Sequence, residues 1–418
     1  MPDVSASPIP RLVGARALNS FGRAVLGTTV FWELYERTSS TLVLAAVGLI
    51  QVIPVVALFV PVGTLVDRSD RRTLTTLAAG LAGAVGLGLA AASRVEAPVV
   101  VYLALLLGYG CLTAVHAPAS VSLIPLIIPR EDLVRTNRLT SSLQELATIT
   151  GPALAGLALG IVVPAAVYAA IAVTGAASAT LYRSLPKPRR VEPGQTPIME
   201  RLGPAPSRGA ARRDWRVGLR FIFRSPLLLP ALTLDMFAVL FAGVTALLPV
   251  VATDILHVGP IGFGVLRAAQ SAGAVAMALL GGRMRGWQRP GRLLLIVVAL
   301  FGACTVGFGL STSFPLSLVL LFCCGALDNI SVVIRLTLEQ MVVPDEIRGR
   351  VSAVHYVFIG MSNELGVAES GAAAWLIGTV PAIVGGGALA MLVVGFVAVK
   401  WRKLAAMPPL DELEAEPL

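Results

Sequence analysis

Two stretches, SSLQELATITG (residues 141–151) and MSNELGVAES (361–370), set carboxylates inside runs that are otherwise apolar: Glu145 in the first, Glu364 and Glu369 in the second. Asp235, Asp328, Arg23 and Arg267 stand in similar surroundings, with Glu33 near one end of its run and Arg335 seven residues after Asp328. A charge at the middle of a bilayer costs about 2.5–3.5 kcal/mol on insertion scales. Such groups must face one another or a water-filled cavity. A carboxylate shielded from water can take up and give back a proton near neutral pH, and that is the chemistry these residues offer. Glu364, Glu145, Glu369 and Asp235 are the candidates for proton coupling; Arg23, Asp328, Arg335 and Glu33 belong to a cavity or charge network. The plainer reading stays open for each: a neutral acid or hydrogen-bond partner that fastens one helix to the next.

Helical geometry sorts the set. Asp328 and Arg335, two turns apart, share a face about 10 Å apart along the axis. Glu364 and Glu369, five apart, diverge by about 140° and cannot both point into one cavity. Other chemistry finds no support in the residues. Cys111, Cys304, Cys323 and Cys324 lie in apolar runs without metal-site spacing. His116, His257 and His355 are far apart. No G-x-x-x-x-G-K-[ST] loop occurs, and no nucleophile-and-base pattern is visible. A non-enzyme without metal or cofactor, energised by a proton gradient, is expected.

The elements that position these groups are legible from composition. Of 418 residues 56% are hydrophobic and only 14% charged, with mean hydropathy +0.81, which no ordinary soluble domain matches. Apolar runs near 14–36, 42–65, 73–93, 98–118, 138–160, 163–184, 227–253, 262–282, 291–311, 315–338, 351–378 and 380–400 each approach the about 20 residues that cross a hydrocarbon core. Twelve membrane-spanning helices are expected, the first a retained signal-anchor because a cleavage pattern is lacking. The net charge of +9 is a topology signal. Of the 33 Lys and Arg, all but Arg23, Arg37, Arg94 and Arg267 fall on one side if the N-terminus is cytoplasmic. The positive-inside rule then sets both termini in the cytoplasm. The basicity implies a bilayer, and nothing in it suggests nucleic acid.

The chain reads as two six-span bundles, 1–185 and 225–405, joined by a basic linker, 186–224, and followed by an acidic tail, 406–418. Trp215, Leu219 and Ile222 recur at helical spacing beside Arg212, Arg213, Arg216 and Arg220. That pattern suits either an amphipathic helix on anionic lipid or an extension of span seven. The bundles echo each other: IIPREDLVRTNRL and QELATITGPALAG before and within span five answer VVPDEIRGRVSAV and NELGVAESGAAAW before and within span eleven. Glu145 and Glu364 fall at paired positions. Alignment through Gln51 and Gln270 sets Asp235 level with Arg16, and Asp235 is expected to pair with Arg16 or Arg23. Two such repeats are the plan of secondary transporters with a site between them at mid-membrane.

After span two comes GTLVDRSDRRTL (63–74). It resembles the loop signature of the major facilitator superfamily, which Gly63, Asp67, Arg68, Arg71 and Arg72 match and from which Asp70 departs. The resemblance implies an all-α, twelve-helix fold, and a gate in which Asp67 braces the start of span eleven at Arg348 and Arg350. GPALAG, with Gly151, Pro152 and Gly156, resembles the family's antiporter motif without its upstream glycines. Residues 241–266 and 327–354 resemble the branch of enterobactin exporters and macrolide-type drug:proton antiporters. That branch carries an Arg where this chain has Ser120, so the first-bundle counterpart of Arg335 is missing.

The implied protein is a bacterial inner-membrane exporter of a small amphipathic organic molecule, a drug or siderophore, working as a monomer by proton antiport and alternating access. An importer of the same fold and a non-transporting sensor are the alternatives. The sequence does not name the cargo.

Overall fold

The computed structural model describes residues 7–187, 208–281, 288–344 and 346–413, and among them the chain is helix and turn without a strand. The first six long helices are α1 (Pro8–Thr38), α2 (Thr41–Arg68), α3 (Arg71–Arg94), α4 (Val99–Ile127), α5 (Leu133–Leu159) and α6 (Pro164–Arg183). After α7 (Arg208–Arg224) come α8 (Leu228–Ala242), α9 (Gly259–Gly281), α10 (Pro290–Leu310), α11 (Phe314–Val342), α12 (Arg348–Ile377) and α13 (Thr379–Lys400). A single turn, α14 (Arg402–Ala405), follows. Each expected span has its helix. Among the described residues nine segments, with Leu228–Ile255 counted as one, are long and apolar enough to cross a membrane by length and composition; α1, α5 and α12, which carry Arg23, Glu145 and Glu364, fall outside that group.

Helix everywhere is what the solvent demands, since hydrocarbon offers no partner for a free backbone N–H or C=O. The ends are set by short-range chemistry. Ser7 caps α1 by accepting from Ile9 N at 3.4 Å, with Pro8 in the first turn. Asp70, the residue that departs from the family signature, caps α3: its carboxylate accepts from Arg72 N at 3.2 Å and from the Thr73 hydroxyl at 2.6 Å.

The seventh span is not one helix. At Gly243 (φ −76°, ψ 87°) α8 stops, and the chain continues through a 3-10 turn (Val244–Leu247), a short α turn (Leu248–Val250) and a π turn (Val251–Ile255). The uninterrupted run expected over 227–253 is corrected here. The break is tolerable because α12 covers it, with Ser370 Oγ donating to the Gly243 carbonyl at 3.2 Å.

Within the first six helices, α3 lies along α6 and α1 along α5 and α6; within the last six, α9 lies along α11 and α10 along α13. The two sets meet along two seams, α2 with α12 and α5 with α9. We call the side carrying the start of α1 and the end of α13 the near face and the other the far face. Both seams are tight toward the far face. A Cβ on Gly156 would lie 2.6 Å from Gly264 Cα and from the Pro260 carbonyl, and one on Gly371 would lie 2.7 Å from the Thr41 carbonyl. Only a residue without a Cβ permits these backbone approaches. At the near ends of α2 and α12, a Cβ added to Gly63 or Gly349 would meet no described atom of another element within 4 Å.

Candidate functional site

Between the two sets lies a cavity of about 370 Å³. α1 contributes Arg23, Leu26, Gly27 and Phe31; α2, Gln51; and α4, Tyr109 and Thr113. From the other set come Val239 on α8, Gly243 and Thr245 at its break, Arg267 on α9, and Asn363, Glu364, Gly366 and Val367 on α12. Among the described residues Glu364 is the one carboxylate in this wall, which it shares with the guanidiniums of Arg23 and Arg267. The Arg267 guanidinium stands over the Phe31 ring, 5.6 Å from its centroid. Gly27 makes room for it: a Cβ there would lie 3.2 Å from Arg267 Nη2. The wall is therefore apolar in part and polar in part, with Arg23, Arg267 and Glu364 as its charged members.

The other sequence candidates disperse. Asp235 forms an ion pair with Arg335, whose Nε also donates to the Ser331 carbonyl at 3.2 Å. The expected pairing of Asp235 with Arg16 or Arg23 is thus corrected. The α8–α11 crossing brings Arg335 to it within its own set, while Arg16 donates to Ser120 Oγ at 3.2 Å. Asp328 faces Asp235 and Ser331 across a void of about 10 Å³. One turn below Arg335, Glu339 accepts from Ser352 and pairs with His355 on α12.

Glu33 sits at the far end of α1. It accepts from the Tyr102 hydroxyl at 2.8 Å, which in turn accepts from Arg37 at 2.8 Å. It belongs to a polar knot inside the first set. Glu369 contacts the Ser370 hydroxyl at 3.4 Å and does not line the cavity. Glu145, paired with Glu364 by the repeat, is exposed and does not line it either. Two turns along α5 from it, Pro152 is buried and its carbonyl lies against Gly264. Gly151 packs against Ala24 of α1 and Gly156 against α9, so GPALAG forms part of a seam.

Of the gate candidates, the side chains of Asp67 and Arg68 lie outside the described ones. Arg71 opens α3, and Arg72 donates to the Arg183 carbonyl. Arg348 donates to the Gln340 and Val343 carbonyls at 3.2 and 3.3 Å, covering the C-terminus of α11. The Arg350 backbone packs against Gly218 of α7.

The far face is closed by contacts between the sets. The Tyr35 hydroxyl donates to Asp254 in the π turn, and Trp32 stacks on Phe263 with ring centroids 5.6 Å apart. Neither pair was visible in the sequence, nor were Gln51, Tyr109 and Asn363 as cavity residues. Arg267 did carry a signal, a lone cation in an apolar run. Among the described residues, no group of three or more His, Cys, Asp or Glu side chains gathers as a metal site.

A family model described as Major Facilitator Superfamily matches residues 12–367. Macrolide efflux protein A of Streptococcus pyogenes is 26% identical over 363 residues, 84% of this chain and 85% of its own length. Enterobactin exporter EntS of Shigella boydii serotype 18 is 26% identical over 405 residues, 94% and 92% of the two chains. A solved structure of a bacterial homologue of the human lysosomal transporter Spinster, inward-facing and unoccupied, superposes with a TM-score of 0.70 at 16% identity, covering 96% of this chain and 98% of that one. A POT family transporter bound to a thioalcohol-conjugated peptide superposes with a TM-score of 0.73 at 11% identity, covering 95% and 96%.

Proposed function

The chain belongs to the major facilitator superfamily, and from that premise we propose that it is a proton-coupled exporter of a medium-sized amphipathic organic molecule. The observation that carries this reading is one cavity shared by both helix sets, tight on its far side, with Glu364, Arg23 and Arg267 all in its wall. The positive-inside rule turns the near face to the cytoplasm of a bacterial inner membrane, so the closed far face is the external one. The partly apolar wall suits a drug or siderophore, and the relatives named for macrolide and enterobactin efflux support that class.

The cycle follows from the charges. Facing the cytoplasm, ionised Glu364 accepts a cationic or hydrogen-bond-donating group of the cargo while Phe31, Leu26 and Val239 cover its apolar part. The seams α2–α12 and α5–α9 then open at the outer side as the two sets rock, exposing the cargo to lower pH. A proton on Glu364 removes the acceptor and the cargo leaves; the protonated carrier returns and loses its proton inside. Cargo and proton compete for one carboxylate, which is the condition for exchange.

Everted membrane vesicles test this. An inside-acid gradient should drive uptake of a radiolabelled macrolide or enterobactin, and Glu364→Gln should abolish that uptake while leaving insertion intact. Gradient-driven uptake by Glu364→Gln at the wild-type rate would remove Glu364 as the carrier.

A second reading, proton-coupled import, has one observation in its favour: the wall holds two guanidiniums against one carboxylate. An anionic cargo would bind best with Glu364 protonated, so proton and cargo would travel together. The sign of the linkage separates the two. Under exchange, cargo affinity rises with pH as Glu364 ionises; under import it falls.

A further inference from the structure

α7 presents two unlike sides. At 100° per residue, Phe223, Arg216, Arg220, Arg224 and Val217 fall within an arc of about 120°, and all five are exposed, Phe223 at 58%. On the opposite side Phe221 and Ile222 are buried in the cluster that also holds Ile347 and Val351 of the α12 start. Gly218 lies so close to α12 that a Cβ would meet the Arg350 carbonyl at 2.8 Å. α7 is thus a separate helix docked on the base of α12, and not an extension of the seventh span. Ser225 Oγ makes the corner by accepting from Leu228 N at 3.0 Å, directly before α8.

The corner keeps the outward arc beside the start of a membrane-crossing helix. Arginines flanking a bare phenylalanine on such a surface match the charge of phospholipid headgroups and the apolar layer just beneath them. We propose that the outward face of α7 is a binding site for anionic phospholipid. Arg220 and Arg224 hold the headgroup phosphate, Phe223 inserts among the acyl chains, and the lipid steadies the first turn of α12 through Gly218. The site lies apart from the central cavity and stands whatever the cargo is.

The test uses the full chain in a neutral detergent, titrated with phosphatidylglycerol or phosphatidylcholine and read by native mass spectrometry. Wild type should bind phosphatidylglycerol in preference to phosphatidylcholine. Arg220→Gln with Arg224→Gln should weaken phosphatidylglycerol binding by about tenfold or more. Arg138→Gln, an exposed arginine at the start of α5, should leave it unchanged. Hydrogen exchange across residues 347–352 should slow when phosphatidylglycerol is added to wild type and not in the double variant. Equal binding of the two lipids by wild type, or undiminished binding by the double variant, overturns the site. Unchanged exchange at 347–352 overturns its link to α12.

Discussion

The α1–α4 crossing and the α8–α11 crossing occupy corresponding places in the two helix sets, and they handle buried charge in opposite ways. In the last six helices Asp235 meets Arg335, both almost fully buried, and Glu339 meets His355 one turn below. In the first six the cation is Arg16 on the other helix of the pair, and its partner is a hydroxyl, Ser120. His116, a turn away on α4, takes Asn19 at 3.4 Å and the edge of Tyr182. One crossing closes its charges on themselves; the other holds a cation in a neutral polar nest. The difference teaches that a repeat conserves where a polar crossing sits without conserving which side brings the charge.

Breaking the two crossings separately should expose the asymmetry. Arg335→Met leaves Asp235 buried without a counter-charge, and a loss of about 3–5 kcal/mol is expected. It would be read as a lower thermal midpoint in detergent, recovered largely by adding Asp235→Leu. A midpoint unchanged by Arg335→Met would mean that the pair is not shielded from water. Arg16→Met removes one hydrogen bond to a hydroxyl that can turn elsewhere, so about 0.5–1.5 kcal/mol is expected. A loss as large as that of Arg335→Met would erase the contrast. The smallest effect belongs to Ser120→Asp, which gives Arg16 the acid its counterpart crossing has. Coulomb gain and desolvation nearly cancel in such a pair, so the stability should stay within about 1 kcal/mol of wild type and the midpoint should barely move. Adding Arg16→Met to Ser120→Asp should then cost far more than Arg16→Met alone.

The helices were legible because hydrocarbon leaves the backbone no alternative, and the charged residues were legible because they are costly where they stand. Their partners were not. Aligning the repeats set Asp235 level with Arg16, but level along an axis says nothing of rotation about it, and the α8–α11 crossing turns Asp235 toward Arg335. Glu145 and Glu364 occupy matching positions in the sequence, yet only Glu364 lines the cavity. Tyr109 reads like any aromatic in an apolar run until the neighbouring set of helices makes a cavity of the gap beside it. The stop at Gly243 had no signal, since glycine is frequent in membrane helices and the flanking residues are apolar on both sides.

That stop has a mechanical consequence. Above Gly243 the chain is a short lever, Val244–Ile255, whose tip carries Asp254 and is tied to Tyr35 on the opposite set. Below it, α8 is anchored by the Asp235–Arg335 pair. The cavity touches the span on both sides of the joint, at Val239 and at Thr245. A molecule filling it would touch the span on both sides of the joint. A swing of the lever's tip away from Tyr35 would not have to unwind a continuous ladder of backbone hydrogen bonds.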